Sequence, residues 1–255
     1  MMNLQTWFDR HDWNATQRAI NATTPQQVEQ ALARSRRTLD DFKALISPAA
    51  QAYLEPMARM SQQLTQKRFG RTIQLYAPLY LSNECQNICT YCAFSLDNKI
   101  QRRTLSDDEI RREADWVRQL GYEHILLVTG EASQTVGVPY LKKAIRLLRD
   151  YFAQVSMEVQ PLDQPEYETL IAEGLNTVLV YQETYHEATY RQHHPKGKKS
   201  NFRYRLDTPD RLGRAGIHRI GLGALLGLED WRTDSFFTAA HLQYLERTYW
   251  RTRYS

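Results

Sequence analysis

The sequence contains only three cysteines in 255 residues, an odd number that cannot all pair as disulfides. Long hydrophobic runs are also missing. The stretch at 125–128, Ile-Leu-Leu-Val, is typical of the longest, far short of the roughly 20 apolar residues a membrane-spanning helix needs. The first residues, Met1 to Trp13, carry Asp9 and Asp12 and no apolar core, which excludes a secretory signal there. Excess charge of one sign is scarce too: 33 Lys and Arg stand against 29 Asp and Glu, a net charge of +4. That balance is too mild for a polyanion-binding protein. The basic clusters Arg102-Arg103 and Lys196-Gly197-Lys198-Lys199 have few interleaved aromatics and read as solvated loops. Neither nucleic acid nor a membrane is expected as a partner. Clustered thiols without a signal predict a reducing, cytoplasmic setting. With 42% hydrophobic and 24% charged residues, the chain suits one large α/β domain with an appendage.

The three cysteines that are there fall in one eight-residue window, CQNICTYC, as Cys85, Cys89 and Cys92. The spacing is C-x3-C-x2-C. Buried structural cysteines scatter along a chain, whereas ligands cluster. Three thiolates hold three corners of a four-iron cluster and leave the fourth iron open to a small molecule. That suggests radical chemistry with S-adenosylmethionine. Zinc is the rival, since C-x2-C is half of many zinc knuckles. Zinc normally takes a fourth ligand, however, and the flanks LSNE and AFSLDN offer no histidine.

Residues 1–70 read as a helical extension. Thr24-Pro25-Gln26-Gln27 is a helix start with a capping box. From residue 71 the pattern becomes alternating strands and helices. Strands are expected at 71–81, 124–131, 155–162, 176–184 and 218–227, with a sixth opening at RTRYS. Helices are expected at 106–120, 138–152, 165–173, 205–215 and 234–250, and 185–202 is read as a long loop. Strict βα alternation predicts an α/β fold, a partial TIM-type βα barrel spanning 71–255. Barrel sites lie at the C-terminal ends of strands. The cysteines, Gly130, Glu131, Glu158, Gln182, Glu183, Thr184 and Gly223 all fall there.

The stretches YAPLYLSNECQNICTYCAFS, HILLVTGE, MEVQPL, VYQETYHEATY, HHPKGKKSNF and TPDRLGRAGIHRIGLGALLGL carry a resemblance. Over nearly its whole length the chain resembles the radical SAM superfamily, and within it the tyrosine lyases of the 2-iminoacetate synthase family. The resemblance implies a [4Fe–4S] cluster on Cys85, Cys89 and Cys92, with S-adenosylmethionine chelating the open iron. It places Tyr91 near the adenine, and Gly130 and Glu131 beside the methionyl amino group. Glu158 is a candidate for a ribose hydroxyl, and Gly221 and Gly223 for close backbone approach to adenine. Gln182, Glu183, Thr184 and Tyr185 are candidates for holding tyrosine or confining the radical. His193 and His194, beside KGKK, read first as part of a mobile, solvated loop, with contact to a substrate or partner as the alternative.

The activity this resemblance implies is cleavage of the Cα–Cβ bond of L-tyrosine to 2-iminoacetate and p-cresol, for thiamine thiazole biosynthesis. A thiazole synthase partner and a reduced flavodoxin or ferredoxin-type electron donor follow from it. Relatives continue through further strands, so the chain is expected to be C-terminally truncated, with residues for the tyrosine carboxylate beyond its end. The alternatives are the related tyrosine lyase of hydrogenase maturation, a non-catalytic remnant that binds S-adenosylmethionine or a partner, and a zinc-binding module.

Overall fold

A computed structural model describes residues 4–255. They group into two compact units. One takes the described residues up to Gln74 together with Leu226–His241, and the other takes Leu75–Leu225 with Leu242–Ser255.

The first unit is helical: α1 (Leu4–Asp9), α2 (Trp13–Asn21), α3 (Pro25–Ala33), α4 (Leu39–Leu45), a 3-10 turn at Pro48–Tyr53, and α5 (Leu54–Phe69). The Thr24–Gln27 capping box is formed, with Pro25 in the first turn. A second box joins Thr38 and Asp41 at the start of α4. Val28 and Ala31 turn one face of α3 inward, and Trp13 stacks on Phe237 at 5.4 Å.

The second unit is a parallel six-stranded sheet in sequential order: β1 (Ala77–Ser82), β2 (His124–Thr129), β3 (Gln154–Glu158), β4 (Leu175–Leu179), β5 (Arg219–Gly221) and β6 (Arg253–Tyr254). Helices α6 (Asp107–Gln119), α7 (Val138–Leu148) and α8 (Gln164–Ala172) connect β1 to β4. Three short helices, α9 (Glu187–His193), α10 (Phe202–Leu206) and α11 (Thr208–Arg214), join β4 to β5, and α12 (Trp231–Thr248) precedes β6. Alternate strand residues, among them Leu79, Leu81, Ile125, Leu127, Val155 and Met157, pack against Ile110, Ala114, Leu141, Ile145 and Leu170 of the helices. Residues between them, such as Ser156 and Glu158, fall on the opposite face of the sheet. This is the partial βα barrel expected from the alternation.

Several boundaries differ from expectation. Residues 71–76 are not strand: β1 starts at Ala77, opposite Ile125, and the six-residue β2 offers nothing further back to pair with. Ile73 and Leu75 are consequently exposed. The third, fourth and fifth strands end earlier, at Glu158, Leu179 and Gly221. Gln182–Thr184 therefore lies in the loop beyond β4, tied to the β5 loop by an isolated bridge between Glu183 and Ala224. The expected long loop contains α9, a 3-10 turn at Lys198–Ser200 and the start of α10, which Asn201 caps. The helix expected at 205–215 is split, because Pro209 opens a separate helix after Asp207.

Leu127 is fully buried at the centre of β2. Leu127→Ala is expected to lower unfolding stability by about 2–5 kcal/mol, read as a fall in the urea midpoint at unchanged slope.

Candidate active site

The cysteine loop follows β1 directly. Cys85 and Cys89 are buried, Cys92 is half-buried, and all three are free thiols. Burial pushes the Cys89 thiol up to about 12, with the neighbouring Cys92 and Cys85 charges adding to the rise against the opposing pull of Lys199. A bound metal centre would favour the thiolate at Cys89 against this rise. Among the described residues, no three His, Cys, Asp or Glu side chains are placed to hold a single ion. Three thiols in one loop are a soft donor set of the kind iron–sulfur clusters take.

The loop does not stand alone. Arg102 was expected to be solvated, but its guanidinium donates to the carbonyls of Asn83 (2.6 Å), Phe94 (2.9 Å) and Ser95 (2.7 Å), bracing both flanks. The Cys89 amide donates to Ser95 Oγ. At the end of β2, Gly130 packs so closely that an added Cβ would collide with the Glu84 carbonyl and lie 3.1 Å from Cys85 Cβ.

Behind the loop lies a buried ion network. Arg205 donates from Nη1 to Glu131 (2.9 Å), from Nη2 to Glu183 (3.3 Å) and from Nε to the Tyr181 carbonyl (2.7 Å). Lys199 Nζ reaches the same Glu183 oxygen at 2.7 Å. Burial alone would raise the Glu183 carboxyl, but Lys199 and Arg205 outweigh it and hold the pKa below its ordinary value. Glu158 goes the other way: burial and the Glu183 charge raise it, against Arg205 and Lys199. Glu183 is the one non-glycine at positive φ among the described residues, at 71°. Such a backbone costs about 1–3 kcal/mol and persists only when its surroundings fix it. Here the Leu225 amide donates to the Glu183 carbonyl at 2.7 Å. A cavity of about 370 Å³ borders this network, with Asn87, Glu131, Gln160, Lys199, Tyr204 and Arg205 in its wall.

Three strand ends each carry a buried polar atom without a hydrogen-bond partner: Thr129 Oγ1 after β2, Gln160 Oε1 after β3 and Gln182 Nε2 after β4. Buried polar groups are nearly always paired. Three orphans on one rim fit a polar ligand such as S-adenosylmethionine or an amino acid.

The structure brings Glu131, Glu158 and Glu183 into one electrostatic neighbourhood. Thr184 and Tyr185 are buried beside them. Tyr91 borders the same network: Lys199 Nζ sits 5.7 Å above its ring, and its hydroxyl lies 2.7 Å from His194 Nε2. Gly221 and Gly223 have packing reasons for lacking a side chain, since added Cβ atoms would meet Leu179 and the Tyr181 ring respectively. The stretch read as solvated is so only in part: Lys196 and Lys198 are exposed, but His194 is 1% exposed and its Nδ1 bonds the Tyr190 carbonyl. Sequence reasoning missed Asn87, Arg102, His194, Lys199 and Arg205. Three carboxylates expected on one rim demand buried cations, and that requirement pointed toward the basic stretch after β4.

Residues 79–236 match the Radical SAM superfamily. The chain is 53% identical to 2-iminoacetate synthase of Escherichia coli (strain K12), over 99% of its own length and 68% of that protein's. It is similar in structure to HydG, a maturase of the [FeFe]-hydrogenase, with a TM-score of 0.87 and 27% identity, covering 93% of this chain and 54% of that one. HydG from Carboxydothermus hydrogenoformans gives a TM-score of 0.85 at 29% identity, with 97% and 59% covered. The chain thus spans about two thirds of the curated relative and little more than half of each HydG chain.

His194 generates a prediction. Burial lowers it to about 4, and its Nε2 faces the Tyr91 hydroxyl while Nδ1 bonds a carbonyl, so the ring is neutral. The unfolded chain binds this proton near pH 6.5 and the folded chain only near 4. Stability is therefore complete above about 6.5 and falls as pH drops toward 4, by on the order of 2–3 kcal/mol. Urea unfolding across pH 4–7 should show this slope in the parent chain and a smaller one in His194→Gln.

Proposed function

Because the chain belongs to the radical SAM superfamily, and to the 2-iminoacetate synthase family within it, we propose that it is a lyase cleaving the Cα–Cβ bond of L-tyrosine to 2-iminoacetate and p-cresol. The observation that carries this reading is 53% identity across 99% of the chain, with the cysteine triad on the strand-end rim. Cys85, Cys89 and Cys92 hold a [4Fe–4S] cluster in this reading. When bound there, cluster and S-adenosylmethionine would supply one-electron, radical chemistry to the tyrosine held beside them.

The chain's own residues bind, orient and shield. Glu131, Glu183, Arg205 and Lys199 sum to zero charge, so a zwitterionic amino acid group meets a neutral but strongly polar wall. Glu131 keeps lone pairs for an ammonium beyond its bonds to Asn87 and Arg205. Glu158 is suited to two ribose hydroxyls, and the orphaned atoms of Thr129, Gln160 and Gln182 offer further contacts. Tyr91 is placed by His194 beside the last cysteine, for the adenine. Gln182, Glu183, Thr184 and Tyr185 form the tyrosine side of the wall, which keeps water from the radical and from the hydrolysable product. Gly221 and Gly223 let the β5 loop approach. Thiazole synthase is the proposed consumer of the product, a flavodoxin or ferredoxin the donor, and the cytoplasm the setting.

A second reading, the lyase of hydrogenase maturation, is supported by the HydG likeness. The difference between 53% and 27% identity favours the first.

Anaerobic reconstitution with iron and sulfide, then S-adenosylmethionine, tyrosine and a reductant, should yield 5′-deoxyadenosine and p-cresol. Absence of both from a cluster-loaded chain contradicts the proposal. Cys89→Ala should lose the cluster and both products; full iron retention and activity in that variant would sink the ligand assignment.

A further inference from the structure

Asn87 sits between the first two cysteines and is 1% exposed. Both ends of its side-chain amide are engaged. Nδ2 donates to Glu131 Oε2 at 2.8 Å, and Oδ1 accepts the Lys199 amide at 3.0 Å. Its own carbonyl takes the Leu96 amide at 2.8 Å, which closes the loop around Cys89 and Cys92. The residue therefore touches three segments: the β2 end, the strap at 193–199 and the far side of the cysteine loop.

The strap runs along the loop like a second strand. Ile88 bridges Lys196 in antiparallel sense, the Ile88 amide donates to the Lys196 carbonyl (3.0 Å), and the Thr90 amide donates to the His193 carbonyl (3.1 Å). Gly197 makes this approach possible. Its φ is +93°, and an added Cβ would strike Asn87 Oδ1 and lie 2.8 Å from both Asn87 Cα and the Gln86 carbonyl. The strap's next residue but one, Lys199, holds Glu183. One amide side chain thus links the cysteine loop to Glu131 directly and to Glu183 through the strap.

We propose that Asn87, seated against the Gly197 turn, is a positioning residue that holds the cysteine loop in its cluster-ligating shape and in register with the Glu131–Arg205–Glu183 network. This rests on the reading that Cys85, Cys89 and Cys92 hold a cluster. Groups outside the ligand shell commonly change metal retention roughly 10–100-fold. Asn87→Asp keeps the acceptor for Lys199 but replaces the donor toward Glu131 with a second anion. In the double variant Asn87→Asp, Glu131→Gln, donor and acceptor are exchanged and the bond is restored with its polarity reversed. Gly197→Ala disturbs the seat without altering charge.

The test uses the full reconstituted chain. Cluster loss to a chelator is followed by visible absorbance, the midpoint potential by redox titration, and the fold by circular dichroism. Asn87→Asp should lose its cluster at least about tenfold faster and have a more negative midpoint potential, because an anion is added near the ligands. Gly197→Ala should lose its cluster faster without that charge-driven shift, and the double variant should recover retention relative to Asn87→Asp. Retention and potential unchanged in Asn87→Asp overturn the inference. If Asn87→Asp does not fold, Gly197→Ala decides alone: loss at the parent rate overturns it. A parent chain that assembles no iron–sulfur cluster overturns instead the ligand reading on which this rests.

Discussion

The Arg205 guanidinium between Glu131 and Glu183 is the interaction on which the site depends. It comes from α10, after β4, and donates to the β2 end, to the residue at positive φ after β4 and to the Tyr181 carbonyl. A buried charge costs several kcal/mol unless paired and hydrogen-bonded. Arg205 uses all three of its donor nitrogens, and Lys199 supplies the second cation that leaves the four charges balanced. Removing any one of the four leaves an uncompensated buried charge. That constraint links the loops after β2 and β4 to α10, beyond the last strand residues Thr129 and Leu179.

The cysteine loop is held by its neighbours in the same way. It has no regular secondary structure of its own, so its backbone groups must be satisfied from outside. Arg102 takes three carbonyls on its flanks, Ser95 takes the Cys89 amide, and the strap takes the amides of Ile88 and Thr90. The backbone that carries the three thiols is thus braced by the fold around it rather than by secondary structure of its own.

Much of the fold was legible in the sequence. The apolar strands around Leu127 and Met157 and the Thr24 capping box each have a local cause, and each forms where expected. What was not legible depends on distant partners. Ile73 and Leu75 have strand-like side chains, yet no strand lies opposite them. α9 has only seven residues, and the segment after it is fixed by Tyr91, Asn87 and Glu183, up to 112 positions away in sequence. The cysteine triad was legible because its spacing is local. Arg205, Lys199 and Asn87 were not, since a polar residue in a loop or short helix looks solvated until the carboxylate it serves is located.

The central claim is that the three thiols carry a four-iron cluster with one iron left open on this rim. Electron paramagnetic resonance of the reduced, reconstituted chain tests it most directly, with and without S-adenosylmethionine. The account predicts a [4Fe–4S]⁺ signal whose g-values shift when S-adenosylmethionine is added. A signal indifferent to S-adenosylmethionine, or a chain that takes up zinc without sulfide, would contradict it.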